Sequence, residues 1–225
     1  MTKESVVAQI RQIVARAVAE SLSIEQNFPA VRQLVGGAWS VTIAGNPDLS
    51  ASLRNLPYRD IYTALEDSRA FNIKMVDGAL LQMVYTFDAE GLAAHRLNFF
   101  TSPDLEHFQN EPELYEQDSV YADILSRSVV PFPIRFDFNR VPAATPPHPR
   151  SHLTLGQYAN CRIPVSAALS PFDFAGFIFR NFYHTSYREL SPRLQFVGEC
   201  FEDCIENDFV SIAHLRLRHR PAGAR

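Results

Sequence analysis

Between Phe71 and Phe100 the chain alternates apolar and polar residues three times, with two glycine-containing turns between the runs. Phe71–Val76 leads into Asp77-Gly78, Ala79–Phe87 returns, Asp88–Gly91 turns again, and Leu92–Phe100 runs out. Successive strand side chains point to opposite faces, so Ile73 and Met75, then Leu81, Met83, Tyr85 and Phe87, fall on one apolar face. An Asp-Gly pair suits the positive φ angles of a type I′ hairpin. The stretch is therefore read as a three-stranded antiparallel meander, whose apolar face requires cover. His95 and Arg96 are neighbours in its third strand, so at most one of them faces the core.

The flanking segments supply that cover. Val6, Ile10, Ile13, Val14 and Ala17 recur at spacings of three and four within Thr2–Leu22, which predicts an amphipathic helix over residues 1–22. Its stripe either closes over the domain core or dimerises. Pro29 at a helix start predicts a short helix over Ala30–Leu34. Gly36-Gly37 then breaks the chain, Ala38–Ala44 reads as a strand, the segment from Asn46 as a loop, and Tyr58–Asp67 as a helix. Asp104–Arg127, divided by Pro112, is expected to be a solvated segment, helical or irregular.

Val129–Phe138 reads as a strand whose start, at Pro131 and Pro133, lies on an edge or outside the ladder. A proline-rich loop, Val141–Pro149, separates it from short strands at Ser151–Leu155 and Cys161–Val165. Ser170-Pro171-Phe172-Asp173 is a helix start: Ser170 caps, Pro171 takes the first position, and Asp173 reaches back. That helix runs to about Tyr183, burying Phe174, Phe177, Ile178 and Phe182. Leu194–Ile205 and Phe209–Leu217 are read as a late hairpin, and the basic tail 218–225 as frayed. The expected fold class is α+β: a single domain, residues 1–225, in which an antiparallel sheet (meander plus later hairpin) carries its N-terminal and C-terminal-half helices on one side.

A length of 225 residues, 46% of them hydrophobic and 20% charged, is ordinary for a globular domain and excludes wholesale disorder. No run approaches the roughly 18 apolar residues of a membrane span, and the first turn is acidic rather than signal-like. The three cysteines, Cys161, Cys200 and Cys204, are too sparse for a disulfide framework and read as reduced, buried thiols. The expected location is cytoplasmic, with no membrane partner and the oligomeric state open.

The formal charge of −4 lacks the basic footprint of many nucleic-acid binders, but it averages over an asymmetry. Asp104–Arg127 holds seven acidic residues and one basic, a net of −6, whereas Val129–Val165 holds four arginines and one aspartate, a net of +3. Either a local basic cleft or simple packing of the acidic segment beside the basic one accounts for this. P-loop, dinucleotide-binding, zinc-protease and nucleophile-elbow motifs are all absent, which argues against P-loop nucleotide hydrolysis and esterase chemistry.

The reactive side chains concentrate between Arg135 and His184. Strand alternation puts Arg135 and Asp137 on one face, and His152 and Thr154 share a face of the next strand. If those two strands pair across the proline-rich loop, Asp137, His148 and His152 converge. Such a group can ligate a divalent metal, or act without one, a histidine as base and another as acid while arginine stabilises the developing charge. No metal or cofactor is assigned. Arg135 with Asp137 also reads as a structural ion pair, His152 as a hydrogen-bonded core histidine, and His148 as a loop residue. Arg180, Asn181 and His184 form a second polar quarter near a helix end, where the cations also suit the last carbonyls.

The order R-F-D-F, H-P-R-S-H-L-T-L-G, C-R-I-P-V, S-P-F-D-F and F-I-F-R-N-F-Y, with D-G-A-L-L-Q and H-R-L-N-F-F upstream, resembles an uncharacterised conserved bacterial family (DUF2290-like) from about Ile61 to His184. A looser likeness is to the TumE-type toxins of toxin–antitoxin pairs, which carry an R-Y-D element followed by a histidine-rich stretch. Arg135, Asp137, His148 and His152 match that pattern, while Phe136 replaces its tyrosine and the run of consecutive histidines is missing. The expectation is a nuclease-like or toxin-like protein acting on nucleic acid, in a bacterial defence or toxin–antitoxin locus. Asp137, His148 and His152 would supply the chemistry, and Arg135, Arg150, Arg162, Arg180 and His184 would hold substrate. The alternative is a non-enzymatic binding subunit that assembles with a larger effector encoded nearby.

Overall fold

A computed structural model describes residues 1–45, 47, 55–125, 129–141, 148–158 and 160–217. Its centre is one antiparallel sheet built on β4 (Ile73–Met75), β5 (Leu80–Asp88) and β6 (Gly91–Phe100), the three strands of the meander. β5 pairs along its length with β6, from Leu80↔Phe100 to Asp88↔Gly91. Its other edge is shared by β4 at Leu80–Leu81 and by β3 (Trp39–Ile43) at Tyr85–Phe87. β1 (Ser23–Gln26) extends the sheet beyond β4, and β2 (Pro29–Gln33) pairs with β3. On the far side β6 is followed by β7 (Pro133–Asn139), β8 (Ser151–Leu155) and β9 (Ile163–Pro164).

One face of this sheet is apolar and carries the main core. Leu81, Met83, Tyr85, Leu97, Phe99, Phe136 and Phe138 pack there against α1 (Lys3–Ala19) and α4 (Pro171–Phe182). The α1 stripe of Val6, Ile10, Ile13, Val14 and Ala17 is buried in that core, so it closes over the domain. Each fully buried aliphatic contributes about 1.5–3 kcal/mol of transfer free energy. The α4 start is a complete capping box: Ser170 Oγ accepts from the Asp173 N–H at 3.1 Å, and Asp173 Oδ2 accepts from the Ser170 N–H at 3.1 Å. Edge-on contacts from Phe174 and Phe177 to Phe136, at 6.2 and 5.1 Å between centroids, seat the helix on β7. A break at Tyr183 leads into α5 (His184–Leu190).

The opposite face is covered as well, which differs from an arrangement with helices on one side only. Alternation sends Leu80 and Phe100 away from the main core, and α2 (Tyr58–Asp67) covers them with Ile61, Tyr62 and Leu65. Beyond α2 this face turns polar, through Gln82 and Asn98 to Arg96, Arg135 and Asp137.

Three further expectations are corrected. Residues 29–33 form strand β2 rather than a helix, in register with β3 from Pro29↔Ile43 to Gln33↔Trp39. Proline at a strand start on a sheet edge leaves no ladder donor missing, so Pro29 fits either element. At Asp77-Gly78 only Gly78 has positive φ, +83°, so the turn is not type I′. The buried Asp77 carboxylate instead accepts the Ala79 N–H at 3.0 Å, an Asx-type turn.

The late hairpin over 194–217 does not form. That chain runs beside residues 164–167 through isolated bridges, Val165↔Leu215 and Ala167↔Asp203, with a short α6 (Asn207–Val210) between. Its amides go to single acceptors, Cys204 to Ser166 at 2.7 Å and Leu215 to Pro164 at 2.8 Å, and Leu194 and Phe201 enter the core individually.

The acidic segment is mostly irregular, with α3 (Glu106–Asn110) and a 3₁₀ turn at Pro112–Leu114. It is anchored rather than wholly solvated, because Leu105, Val120 and Ile124 are buried. The reading of most of the loop from Asn46, most of the proline-rich loop, and the 218–225 tail lies outside the described residues. Among the described residues no helix is long and apolar enough to cross a membrane.

Candidate functional site

β7 and β8 pair across the proline-rich loop, with Asp137 directly opposite His152 and Arg135 opposite Thr154. β6 pairs on the other side of β7 and sets Arg96 opposite Asp137. Because all four side chains lie on the polar face, strand register alone assembles Arg96, Arg135, Asp137 and His152. His148, just before β8, folds back so that its ring lies 4.6 Å from that of His152, edge to face. Arg162, just before β9, completes one wall of a cleft of about 460 Å³.

The Asp137 carboxylate lies between two guanidiniums. Arg96 Nε donates to Oδ1 at 3.0 Å, and Arg135 Nε lies 2.6 Å from Oδ2, close but not aligned as a hydrogen bond. Burial by itself would push the Asp137 carboxyl up, but the charges of Arg135 and Arg96 outweigh it and hold the group below its ordinary range. Among the described residues Asp137 is the only carboxylate lining the cleft, against Arg96, Arg135 and Arg162. Three positive groups and one negative leave +2 with the histidines neutral, and among the described residues Arg162 forms no ion pair.

His152 is buried, and burial pushes its imidazole down to about 4 even though Asp137 pulls the other way. It is therefore neutral near pH 7. The Nδ1 atoms of His148 and His152 both lie 3.3 Å from the carbonyl oxygen of Pro149. A carbonyl only accepts, so both contacts place the proton on Nδ1 and leave Nε2 as the basic nitrogen. His152 Nε2 stands 3.8 Å from Asp137 Oδ2, too far for a direct hydrogen bond. Behind this face His95 belongs to the core: its Nε2 accepts the Leu169 N–H at 3.0 Å, and burial pushes it down to about 3.

Of the residues picked out in the sequence, Arg135, Asp137, His148, His152 and Arg162 come together in the cleft. The others do not. Arg150 Nε pairs with Glu206 at 3.1 Å. Arg180 and His184 belong to α4 and α5, and α4 packs on the Phe136 side of β7, opposite Asp137. There Arg180 lies 5.8 Å from the Tyr187 ring, and His184 Nδ1 meets the Arg180 carbonyl at 3.3 Å.

Arg96 is a cleft residue that the sequence alone does not mark. Its strand was legible, but the pairing of β6 with β7 was hidden by the long segment between them. Among the described residues no group of three or more His, Cys, Asp or Glu side chains is placed to hold a metal ion.

A family model described as an uncharacterized conserved protein (DUF2290) matches residues 22–217. The chain belongs to that family. The DUF2290 match takes in every strand of the sheet and every residue of the cleft, and leaves the whole of α1 outside. No curated protein and no solved structure matches this DUF2290 chain.

Proposed function

We propose that the cleft binds the phosphodiester backbone of RNA and cleaves it without a metal ion. The observation that carries this reading is the excess of guanidinium over carboxylate in a cleft that also holds two histidines with free Nε2 atoms. Arg96 and Arg162 suit a phosphate because guanidinium donors match its oxygens and stabilise added negative charge. Asp137, flanked by two guanidiniums, is poorly disposed toward a divalent cation. RNA carries its own nucleophile. The 2′-oxygen attacks phosphorus as its proton passes to Nε2 of His148, the P–O5′ bond breaks, and the leaving 5′-oxygen takes a proton from water. Neutral, buried His152 orients His148 through the shared Pro149 carbonyl.

The test is incubation of the purified protein with single-stranded RNA, and with the same sequence as DNA, in chelator. RNA cleavage that His148→Ala lowers by roughly 10²-fold or more, with DNA left intact, is the expected result. Undiminished cleavage by a His148→Ala, His152→Ala double variant removes these histidines as catalysts. Retention of RNA without cleavage favours a second reading, a non-enzymatic binding subunit of a larger effector. That reading has its own observation: Phe28, Val31, Leu34 and Val35, on and around the β2–β3 hairpin, are exposed apolar residues.

A further inference from the structure

A second cavity, of about 490 Å³, opens on the other side of the sheet from the arginine cleft, where the β4–β5 turn meets the end of α4. Its walls include Phe99, Leu105, Ile124 and Phe182, and Val130 and Phe132, 70% and 38% exposed, lie at its lip. Among the described residues, the polar side chains that line it include two carboxylates, Asp77 and Asp123, and neither arginine, lysine nor histidine. The charge balance is thus the reverse of that in the cleft.

Asp77 is the unusual member. It is 3% exposed, and among the described residues it forms no ion pair. Its carboxylate accepts the Tyr183 hydroxyl at 3.0 and 2.8 Å and the Ala79 N–H at 3.0 Å. These donors are neutral, and an anionic group buried without a counter-charge is costly. Burial accordingly raises the Asp77 carboxyl above its ordinary range, with the Ala79 and Tyr183 hydrogen bonds opposing the shift. Asp123 is held at the other side by the Thr185 N–H at 2.8 Å and the Thr185 hydroxyl at 3.0 Å.

We propose that this cavity is a binding site for a small organic cation, a protonated amine on an aromatic or branched apolar body. The ammonium supplies the missing counter-charge to Asp77 through a charge-assisted hydrogen bond. The body lies against Phe99, Ile124 and Phe182, and the volume is in the range of roughly 300–1,000 Å³ usual for small-molecule sites. Free anions are disfavoured on both counts, by the apolar walls and by the two carboxylates. This site is independent of the arginine cleft, and the outcome of the RNA assays does not bear on it.

Calorimetric titration of the full chain with 2-phenylethylamine, 2-phenylethanol and phenylacetate tests the assignment, since the three share a ring and differ at the head group. The amine is expected to bind at least about tenfold more tightly than the alcohol, with phenylacetate weakest. Asp77→Asn should remove the amine's advantage. Val130→Arg, at an exposed lip position, should weaken amine binding while leaving the thermal midpoint unchanged, and it serves as the test if Asp77→Asn does not fold. Equal binding of amine and alcohol overturns the proposal. So does the absence of amine binding at millimolar concentration, or amine binding that Val130→Arg leaves unaltered.

Discussion

Arg96 and Asp137 occupy directly opposed positions on β6 and β7, and the Arg96 Nε donates to Asp137 Oδ1 at 3.0 Å. With Arg135 on the other oxygen, one carboxylate holds two guanidiniums beside each other. Asp137→Asn keeps the shape and removes the charge, leaving the two cations to repel. Breaking a fully buried pair costs about 3–5 kcal/mol, and these arginines are partly exposed, so a loss of about 1–3 kcal/mol is expected in urea unfolding. An unchanged midpoint would show that the cluster contributes nothing to stability.

Acid should destabilise the protein well above the carboxylate range. Burial holds His95 at about 3 and His152 at about 4 in the folded chain, whereas an unfolded histidine titrates near 6.5. Between those values the unfolded state binds the protons and the folded state does not, so stability falls as pH falls from about 6.5 toward 4. Each histidine contributes a slope of at most roughly 1.4 kcal/mol per pH unit. Asp137, held below its ordinary range, stays ionised over this window and adds nothing to the slope there. Unfolding free energies from urea titration at pH 7.5 and 5.0 should differ by about 2–4 kcal/mol. His152→Gln should flatten the profile, and a flat wild-type profile would contradict the buried neutral state of both rings.

The elements that the sequence revealed are those whose local signal and tertiary role agree. Tyr85 and Phe87 alternate because β5 has one core face, and Ser170 to Asp173 is a cap whatever packs above it. The failures come from segments whose partner lies far along the chain. Pro29 suits a helix start or a strand edge, and only the pairing with Ile43 decides. Residues 194–217 carry apolar side chains that enter the core singly, with no strand partner to fix a register.

The site divides in the same way. Arg135, Asp137 and His152 were legible because the two strands that carry them are joined by a single loop. Arg96 was not, because some thirty residues separate β6 from β7. Charge alone did not separate Arg162 from Arg150 and Arg180, whose places are set by Glu206 and by which face of β7 α4 covers.

Gly78 is the turn position least able to accept a side chain. Its φ of +83° is the left-handed region, and a Cβ there would lie 3.1 Å from Ser102 Cβ and 3.3 Å from the Tyr62 hydroxyl. Strained backbone costs roughly 1–2 kcal/mol and the crowding adds to it, so Gly78→Ala should lower stability by about 2–3 kcal/mol. Gly37, also at positive φ but with nothing within 4 Å of an added Cβ, provides the contrast. Gly37→Ala should carry the backbone cost alone, and equal losses from the two variants would remove the crowding argument.

The capping box of α4 gives a smaller effect. Ser170 is 1% exposed, and its hydroxyl both accepts the Asp173 N–H at 3.1 Å and donates to the Asp173 carboxylate at 2.6 Å. Ser170→Ala should cost about 1–2 kcal/mol, at the upper end for a cap because the freed carboxylate and amide are partly buried. Ser170→Thr retains the hydroxyl and should recover part of that loss. Thermal unfolding of the two variants checks the order.

Two arginines test whether the polar face or the helical face is the surface that would meet a polyanion. Arg162 lines the cleft, and Arg180 lies beside Tyr187 on the α4 side of the sheet. If RNA binds through the cleft, Arg162→Ala should weaken it several-fold at moderate salt and lower the slope of log affinity against log salt by about one counterion. Arg180→Ala should leave both quantities unchanged, because its guanidinium is on the far side of β7. Fluorescence anisotropy with a labelled single-stranded RNA over a range of salt reads both. An equal loss from the two substitutions would mean that the RNA follows net charge and not the cleft, and the site would then lose its claim to the substrate.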